Sequence, residues 1–287
     1  MISLSTTPIR SIVIPRYKKD AIVAAVKKGE RIDGRRYSDF RRIEVSLNPV
    51  SRANGSAQVK IGSTMVITGV KAEIGSPYPD TPNEGVLQVH AEFVPLASPI
   101  FEAGPPDENA IEVARVVDRG LRESRFVKLD ELVIIPGKKV WSIYVDIYLL
   151  DHGGNIIDAS MLSSTLALYA CRLPRIMVSG EEIVIDRDVY DKQIPLGDPV
   201  VSVTVGFIED YLLVDPSIEE EAVLDGKLTF IFDKKGNLAG IQKTGVKGIK
   251  TKTLEQALEL SQKKSQELFE LIEKVISSSE NYSKPLA

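Results

Sequence analysis

The spacing of apolar side chains changes along the chain, and each spacing predicts a different element. Residues 16–28 carry apolar side chains three and four positions apart, which is typical of a short amphipathic helix, and Gly29 suits its end. Alternation of apolar and polar residues then predicts strands at 43–47, 57–61, 65–74 and 86–94. Asn54-Gly55 lies between two of these strands and predicts a tight turn.

Helices and strands continue in the remainder of the chain. A helix is predicted from about residue 104 to Arg125, a strand at 141–150 and a second helix, rich in small residues, at 157–172. Further strands follow from about residue 181. The last helix is expected to begin at Thr253, with Gln256 completing a capping box. This order predicts an α+β fold with two strand-rich halves, each with packed helices.

The same pattern divides the chain into four segments. They are an N-terminal arm and helix (1–30), a first half (31–180), a second half (181–276) and a flexible polar tail (277–287). A chain of 287 residues can bury a sizeable core without disulfides or metals to hold it together.

Charge is unevenly distributed, although the formal net charge is only −4. The first 60 residues contain 13 Lys or Arg and five Asp or Glu, whereas the rest of the chain is acidic. This asymmetry indicates either a polyanion or an acidic partner bound to one face, or two regions that neutralise each other within one fold. Both interpretations stay open at this point.

Composition excludes several classes of site. Cys171 is the only cysteine, which excludes an internal disulfide and a cysteine-based zinc site. His90 and His152 are the only histidines, and neither is expected to bind a metal, so no metal or cofactor is predicted. No apolar run is long enough to span a bilayer and no secretory leader is visible, so we expect a cytoplasmic protein without membrane contact.

Three arginines follow one another along one side of a predicted helix. Arg115, Arg119 and Arg122 are four and three residues apart, and a rigid row of guanidinium groups is suited to binding phosphates. The alternative is a surface helix with internal salt bridges. Asp118 would then pair with Arg115 or Arg122, and Glu112 with Arg115. On composition alone, the salt-bridged helix is the preferred interpretation.

Residues 209–225 form an acidic run without a single Lys or Arg. Its carboxylates are Glu209, Asp210, Asp215, Glu219, Glu220, Glu221 and Asp225. Such a cluster can hold Mg²⁺ or perform acid–base catalysis. Because none of these acids has a basic or histidine partner nearby in the sequence, a solvated loop is the preferred interpretation.

The segment Asp151-His-Gly-Gly-Asn-Ile156 leads from a predicted strand into a helix. Backbone N–H groups at a helix N-terminus can bind phosphate. This segment contains no Lys, Arg, Ser or Thr, so an anion site there would depend on backbone groups alone. A tight turn is the preferred interpretation.

Four segments match the motifs of one known family. They are Arg31-Ile-Asp-Gly-Arg35, the hairpin at 55–64, the arginine helix and Asp215-Pro-Ser-Ile-Glu-Glu-Glu221. Together they resemble the RNase PH family over about residues 30–276. More narrowly, residues 105–119, Pro136-Gly-Lys138 and Asp151-His-Gly-Gly-Asn155 resemble the non-catalytic RNase PH-like subunit of the archaeal exosome.

The resemblance implies the two-part RNase PH fold and a set of partners. The chain would pair with a catalytic RNase PH-like paralogue. Three such pairs would form a hexameric ring that also binds RNA-binding cap proteins. The ring would degrade single-stranded RNA from its 3′ end by phosphorolysis and extend RNA in the reverse direction. The resemblance also favours RNA binding over the salt-bridged helix for Arg115 and Arg119, and less strongly for Arg122.

One departure from the family pattern implies that this chain is not itself catalytic. Active members hold the attacking phosphate with a Gly-Ser/Thr-Arg element, which here falls on Gly154, Asn155 and Ile156. Isoleucine supplies no charge for a phosphate. The catalytic aspartate position falls near Asp225, and no catalytic residue is expected in this chain. Two alternatives are an active phosphorolytic exoribonuclease, which would use Asp215 and Asp225, and a purely structural scaffold.

Overall fold

A computed structural model describes residues 14–180, 182–186, 188–190 and 192–279. The helices are α1 (Arg16–Lys27), α2 (Glu108–Glu123), α3 (Ile156–Ala170), α4 (Ile218–Glu221) and α5 (Thr251–Ser279), with a 3-10 helix at Leu129–Leu132. The strands are β1 (Ile43–Leu47), β2 (Gly55–Ile61), β3 (Thr64–Gly75), β4 (Val86–Phe93), β5 (Val133–Ile135), β6 (Lys139–Asp151), β7 (Arg172–Leu173), β8 (Arg175–Ser179), β9 (Glu182–Asp186), β10 (Lys192–Gln193), β11 (Val200–Ile208), β12 (Tyr211–Val214), β13 (Gly226–Asp233) and β14 (Leu238–Thr244).

Two sheets form the frame of the molecule. The first has the order β1-β2-β3-β6-β4, with β5 also paired to β6. In it β4 runs parallel to β6 and the other pairs are antiparallel. The second sheet is antiparallel, with the order β12-β11-β13-β14. Two short ribbons, β7 with β10 and β8 with β9, complete the strand pairing of the described residues.

Helices α2 and α3 pack between the two sheets. α3 contacts β2 and β3 in the first sheet and β11 in the second, while α2 contacts β4 and β14. α3 is apolar or small on every side, as a helix enclosed by other elements requires, and residues 157–168 are all buried. α5 also packs on β11, which is buried along its whole length. Most apolar residues of both sheets therefore belong to one continuous core, while Ile208 and Leu213 of the second sheet pack with Val26 in a separate small cluster.

The predicted α+β fold with packed helices is confirmed, but the tight turn at Asn54-Gly55 is wrong. Gly55 begins β2 instead. Asn54 joins separate segments, because its backbone N–H donates to Val70 O at 2.8 Å and its side-chain amide to Arg172 O at 3.1 Å. A Cβ on Gly55 would lie 2.4 Å from the backbone nitrogen of Cys171. Glycine is therefore required there by the close approach of two segments of backbone.

The C-terminal helix is longer than the sequence pattern predicts. α5 begins at Thr251, and the Leu254 N–H already donates to Lys250 O at 3.0 Å. Thr253 therefore lies inside the helix, and the predicted capping box with Gln256 is wrong. The helix includes residues 277–279 of the predicted flexible tail. The rest of that tail, and residues 1–13 of the predicted N-terminal arm, lie outside the described residues.

Candidate functional site

The arginines of α2 lie on the surface because the opposite side of the helix is buried. The Asp107 carboxylate caps the helix by accepting a hydrogen bond from the Ala110 N–H at 2.8 Å. The buried side consists of Ala110, Val113, Val116, Val117, Gly120 and Leu121. Arg115, Arg119 and Arg122 are all exposed, as the stripe predicts.

The three arginines differ in whether their charge is neutralised. Arg122 forms an ion pair with Asp118 at 2.9 Å and also donates to the Leu87 carbonyl at 3.0 Å. Among the described residues, the side chains of Arg115 and Arg119 form no hydrogen bond and no ion pair. The salt-bridge interpretation therefore holds for Arg122 and fails for the other two.

Glu112, the partner expected for Arg115, is held by a different element. Its Oε1 accepts hydrogen bonds from Gln242 Nε2 at 2.8 Å and Thr244 Oγ1 at 3.2 Å, both on β14. The expected Glu112–Arg115 pair is wrong because these β14 donors hold the carboxylate. Arg115 consequently keeps its full charge for an external anion.

Arg115 and Arg119 line a groove between α2 and β14, which we call the α2–β14 groove. Its volume is about 340 Å³. Val116 and Ile231 contribute apolar surface to its walls, together with the partly exposed Ile111 and Ile241. Neither Ile111 nor Ile241 was predicted from the sequence to be a site residue. The local pattern gives no signal for them, because the groove forms only when β14 packs beside α2.

The segment matching the phosphate-binding element is tightly packed. Gly154 has a φ of +92°, and a Cβ there would lie 2.4 Å from the backbone nitrogen of Ile218. The next residue, Asn155, is buried and also has a positive φ, of 52°. Ile156 follows as the first residue of α3 and is partly buried. A glycine at 154 is needed both for its conformation and for the close contact with α4.

Several hydrogen-bonding groups of this segment are bonded to other residues of the chain, although the buried Asn155 Oδ1 has no partner. The Asn155 N–H donates to a carboxylate oxygen of Glu221 at 3.1 Å, and Lys227 neutralises the same oxygen at 2.7 Å. The Thr64 hydroxyl donates to the Gly154 carbonyl at 2.6 Å. An internal carboxylate therefore lies at the N-terminus of α3, where a bound phosphate would need free N–H donors.

The acidic run is largely built into the fold, so the solvated-loop interpretation is wrong. Asp215 is fully buried, and Arg41 donates to both of its carboxylate oxygens at 2.8 Å. Glu220 is also fully buried and accepts two hydrogen bonds from Arg31, at 2.8 and 2.5 Å. The basic partners that the local sequence lacks come from the start of the chain.

Pairing with arginine changes the pKa of these buried acids, and the change is clearest at Asp215. Burial alone would raise the pKa of its carboxyl, but the hydrogen bonds from Arg41 and Asn155 outweigh burial and hold the pKa below its usual value. Arg41 also donates to the Gly153 carbonyl at 2.7 Å. The buried arginine thus joins the acidic run to the segment before α3. We call Arg31, Arg41, Asp215, Glu220 and their contacts the buried ion network.

Asp158 extends this network into the core beneath β11. Its carboxylate accepts hydrogen bonds from Asn155 Nδ2, from the Ser202 hydroxyl and from the N–H and hydroxyl of Thr204, all at 2.7 to 2.9 Å. Complete burial raises the pKa of Asp158 to about 6 in spite of these donors. The sequence pattern did not indicate this residue, because a single acid in an apolar helix has no local signature.

Asp225, which the sequence resemblance places near the catalytic aspartate position of the family, lies outside the buried ion network. It forms an ion pair with Lys247 at 2.6 Å and accepts a hydrogen bond from the Glu209 N–H at 2.9 Å. Partial burial opposes its ionisation, but these two donors hold its pKa below the usual value. A carboxylate so stabilised in its charged form is a poor proton donor.

The described ranges contain neither a metal-binding cluster nor a membrane-spanning helix. No group of three or more His, Cys, Asp or Glu side chains in them could hold a metal ion. His90 lies on the exposed face of β4, while His152 stacks on Phe101 with a centroid distance of 5.6 Å. None of the helices described is both long and apolar enough to cross a membrane.

Both the sequence and the fold of the chain are similar to those of known proteins. The family model "3′ exoribonuclease family, domain 1" of RNase PH matches residues 39–174, and the domain 2 model matches residues 198–264. The "Exosome complex component Rrp42" of Sulfurisphaera tokodaii is 47% identical over 95% of this chain and 99% of that protein.

Two solved structures have the same fold at comparable identity. A chain of the Archaeoglobus fulgidus exosome with RNA bound to the active site is 44% identical, with a TM-score of 0.81 over 88% of this chain and 97% of that one. A chain of an archaeal exosome core is 40% identical, with a TM-score of 0.77 over 90% of this chain and 96% of that one.

Proposed function

Because the chain belongs to the RNase PH family of 3′ exoribonucleases, we propose that it is a non-catalytic, RNA-binding subunit of an archaeal exosome. The proposal rests on a contrast between the arginines of α2 and the segment that precedes α3. Arg115 and Arg119 are exposed without a counter-charge among the described residues, whereas the segment at Gly154, Asn155 and Ile156 is occupied by the chain's own groups. Such a chain can bind an RNA backbone but has no place for the phosphate that cleaves it.

The proposal includes specific partners. The chain pairs with a catalytic RNase PH-like paralogue, and three such pairs form a ring that also binds RNA-binding cap proteins. The ring works in the cytoplasm, degrading single-stranded RNA from the 3′ end and extending RNA in the reverse reaction. A net charge of −4 is compatible with this role because two local cations can complete a basic channel supplied mainly by the partner.

RNA binding by this chain follows from the geometry of α2. A guanidinium group stays charged at any physiological pH and donates two parallel hydrogen bonds to a phosphate. Arg115 and Arg119 lie one helical turn apart on a helix whose other side is fixed in the core. Contacts to phosphates do not depend on base identity, so the binding has little sequence preference. Arg122 contributes less because Asp118 already neutralises it.

The lack of catalysis also has an electrostatic cause. Phosphorolysis requires inorganic phosphate to approach a polyanion, so the active site must supply positive charge at the attacking group. Here Ile156 supplies none, and the Asn155 N–H is already hydrogen-bonded to the Glu221 carboxylate. The structural role of Arg41 is to bind Asp215, which leaves this cation unavailable as a substitute.

A phosphorolysis assay tests this proposal directly. The purified chain incubated with poly(A) and inorganic phosphate is expected to release no nucleoside diphosphate. The same chain assembled with its catalytic paralogue is expected to release it, which controls for substrate and conditions. Sustained turnover by the chain alone would contradict the proposal.

The acidic residues Asp215 and Asp225 motivate the alternative of an active enzyme. Asp225 is the better test because its ion pair with Lys247 is near the surface, so Asp225→Asn should leave the fold intact. We expect the variant to change the phosphorolysis rate of the assembled complex by less than about twofold. A loss of a hundredfold or more would favour the active-enzyme alternative.

A pure scaffold is the other alternative, and charge reversal distinguishes it. Arg115→Glu with Arg119→Glu in the assembled complex is expected to weaken RNA binding and to reduce its dependence on salt. An unchanged affinity together with an unchanged salt dependence would favour the scaffold.

A further inference from the structure

A lysine lies beside the start of α3, and the proposed function does not use it. Lys227, on β13, forms an ion pair with Glu221 at 2.7 Å, and the same carboxylate oxygen accepts a hydrogen bond from the Asn155 N–H at 3.1 Å. The side chains of Lys227 and Glu221 are only 23% and 18% exposed. A positive charge is therefore present next to the segment that matches the phosphate-binding element, although Ile156 carries none.

We infer that Glu221 is the residue that excludes inorganic phosphate from this chain, because its carboxylate occupies Lys227 and the Asn155 N–H as an internal anion. The inference rests on the proposed non-catalytic function and adds a second cause to it, besides the missing charge at Ile156. It implies a latent phosphate-binding site that a change at Glu221 opens and a change at Ile156 alone does not.

Helix α4 holds Glu221 in this position. The Ile218 N–H, at the start of α4, donates to the Gly153 carbonyl at 2.8 Å. Gly154 packs so closely on α4 that a Cβ would lie 2.4 Å from the Ile218 nitrogen. Glu221 is the last residue of α4, so these contacts place its backbone beside the start of α3. Its carboxylate then reaches the Asn155 N–H.

Lys227 is charged, and Glu221 is its hydrogen-bonded partner among the described residues. Burial alone would lower the pKa of Lys227, but the charge of Glu221, aided by those of Glu112 and Asp158, outweighs burial and raises the pKa. Glu112 is itself held by donors on β14, and Asp158 by donors on β11. Removing Glu221 therefore leaves the ammonium group without a direct partner.

Neither of the other basic side chains near this segment can take the place of Lys227. Burial lowers the pKa of His152, and its Nδ1 accepts a hydrogen bond from the Gly154 N–H at 3.4 Å, so this ring is neutral. Arg41 is bound to the Asp215 carboxylate at 2.8 Å. An anion at the start of α3 thus depends on Lys227 for its counter-charge.

Size and tethering explain how a carboxylate can exclude phosphate from this position. The part of Glu221 beyond Cβ is similar in size to a phosphate ion, and both present oxygen atoms to donors. A tethered group competes at a high effective concentration, which favours Glu221 over a free ion. The Asn155 side chain makes no capping hydrogen bond to α3, so the first N–H groups of the helix also favour an anion there.

The test measures binding of inorganic phosphate to variants of the full-length chain. Glu221→Ala, Ile156→Arg and the double variant are compared with the natural chain. Glu219→Ala is the matched control, because Glu219 lies on the same helix but forms its ion pair with Lys18 near the surface. Binding is followed by phosphorus NMR line broadening and by the shift of melting temperature with phosphate, each against a chloride series of equal ionic strength.

The natural chain, Glu219→Ala and Ile156→Arg are expected to show no phosphate-specific shift, because Glu221 still occupies Lys227. Glu221→Ala should bind phosphate at least about tenfold more tightly than the natural chain, and the double variant more tightly still. Adding Lys227→Met to Glu221→Ala should abolish the gain, which a general loosening of the fold would not explain. Glu221→Gln removes the charge but keeps the shape, so it should show a smaller gain and remains informative if Glu221→Ala misfolds.

Three results would overturn the inference. They are no gain in Glu221→Ala and Glu221→Gln although both melt cooperatively, a gain in Ile156→Arg alone as large as in the double variant, and a gain that persists without Lys227. None of these contradicts the proposed function. That function fails instead if the natural chain alone releases nucleoside diphosphate from poly(A) in the presence of phosphate.

Discussion

Arg31 and Arg41, near the start of the chain, and Arg115 and Arg119, on α2, have the same side chain in opposite surroundings. Arg31 is fully buried and forms an ion pair with an equally buried carboxylate, while Arg41 binds both oxygens of Asp215. Arg115 and Arg119 are exposed and have no counter-charge among the described residues. The first pair stabilises the fold, and the second is free to bind a ligand.

This contrast accounts for part of the charge asymmetry of the sequence. Part of the basic start of the chain is not available as a binding face, because Arg31, Arg35 and Arg41 are neutralised by Asp215 and Glu220. Internal neutralisation, one of the two interpretations left open by the charge pattern, therefore applies to these residues. A high local density of arginine in a sequence does not by itself locate a phosphate-binding surface.

The largest expected effect is on stability, from removing the arginine that pairs with the buried Asp215 carboxylate. Arg41→Ala would leave Asp215 fully buried without its main counter-charge, and breaking a buried pair in this way costs about 3–5 kcal/mol. We therefore expect the free energy of unfolding, measured by urea denaturation, to fall by that amount. RNA binding by molecules that remain folded should be nearly unchanged.

The neighbouring arginine provides a matched control for this prediction. Arg42 is 84% exposed and pairs with Glu44 at 3.2 Å on the surface. Arg42→Ala should lower the free energy of unfolding by less than about 1 kcal/mol, because exposed ion pairs contribute little. Equal effects of the two substitutions would contradict the assignment of Arg41 to a structural role.

The two arginine sets also differ in how far the sequence alone could identify them. The stripe on α2 was predictable because Arg115, Arg119 and Arg122 are related by the local period of a helix. The buried ion network was not predictable, because Arg31 and Glu220 are 189 residues apart and Arg41 and Asp215 are 174 apart. Their pairing depends on how the whole chain folds, and no local pattern encodes it.

The fold, like the arginine sets, could be predicted only where a local pattern in the sequence decides the structure. The main helices and strands follow from local periodicity and match the structure closely. The errors at Gly55 and Thr253 arose where a contact or a hydrogen bond outside the local motif decided the outcome. The division of the chain near residue 180, and the RNA-binding role of the arginines, stay predictions.

The second prediction concerns pH and the inner end of the buried ion network. The pKa of Asp158 is raised from 3.8 to about 6 in the folded chain, so between these values the folded state binds the proton more tightly than the unfolded state. The stability contributed by the protonated form is therefore lost as the pH rises through about 6. The loss amounts to as much as about 3 kcal/mol.

Comparison with Asp158→Asn isolates this contribution, because every other titratable group is common to the two chains. The free energy of unfolding of both chains is measured by denaturation at about pH 4 and about pH 7. Relative to the variant, the natural chain should be less stable at the higher pH than at the lower one. Asp215 does not obscure the result, since its pKa is lowered and the stability it contributes is lost only as the pH falls. A difference independent of pH would show that Asp158 titrates near its usual value.

The smallest expected effect is a difference in RNA binding between the three arginines of α2. Arg115→Ala and Arg119→Ala should each weaken RNA binding and lower the salt slope by about 0.7, the value expected for losing one phosphate contact on a single strand. Arg122→Ala should change the slope by less, because the Arg122 charge is already neutralised by Asp118 at 2.9 Å. Binding of the three variants to oligo(A) over a salt series measures this difference. Equal slopes for all three would mean that RNA displaces Asp118 from Arg122, and that neutralisation within the fold does not decide which arginines bind.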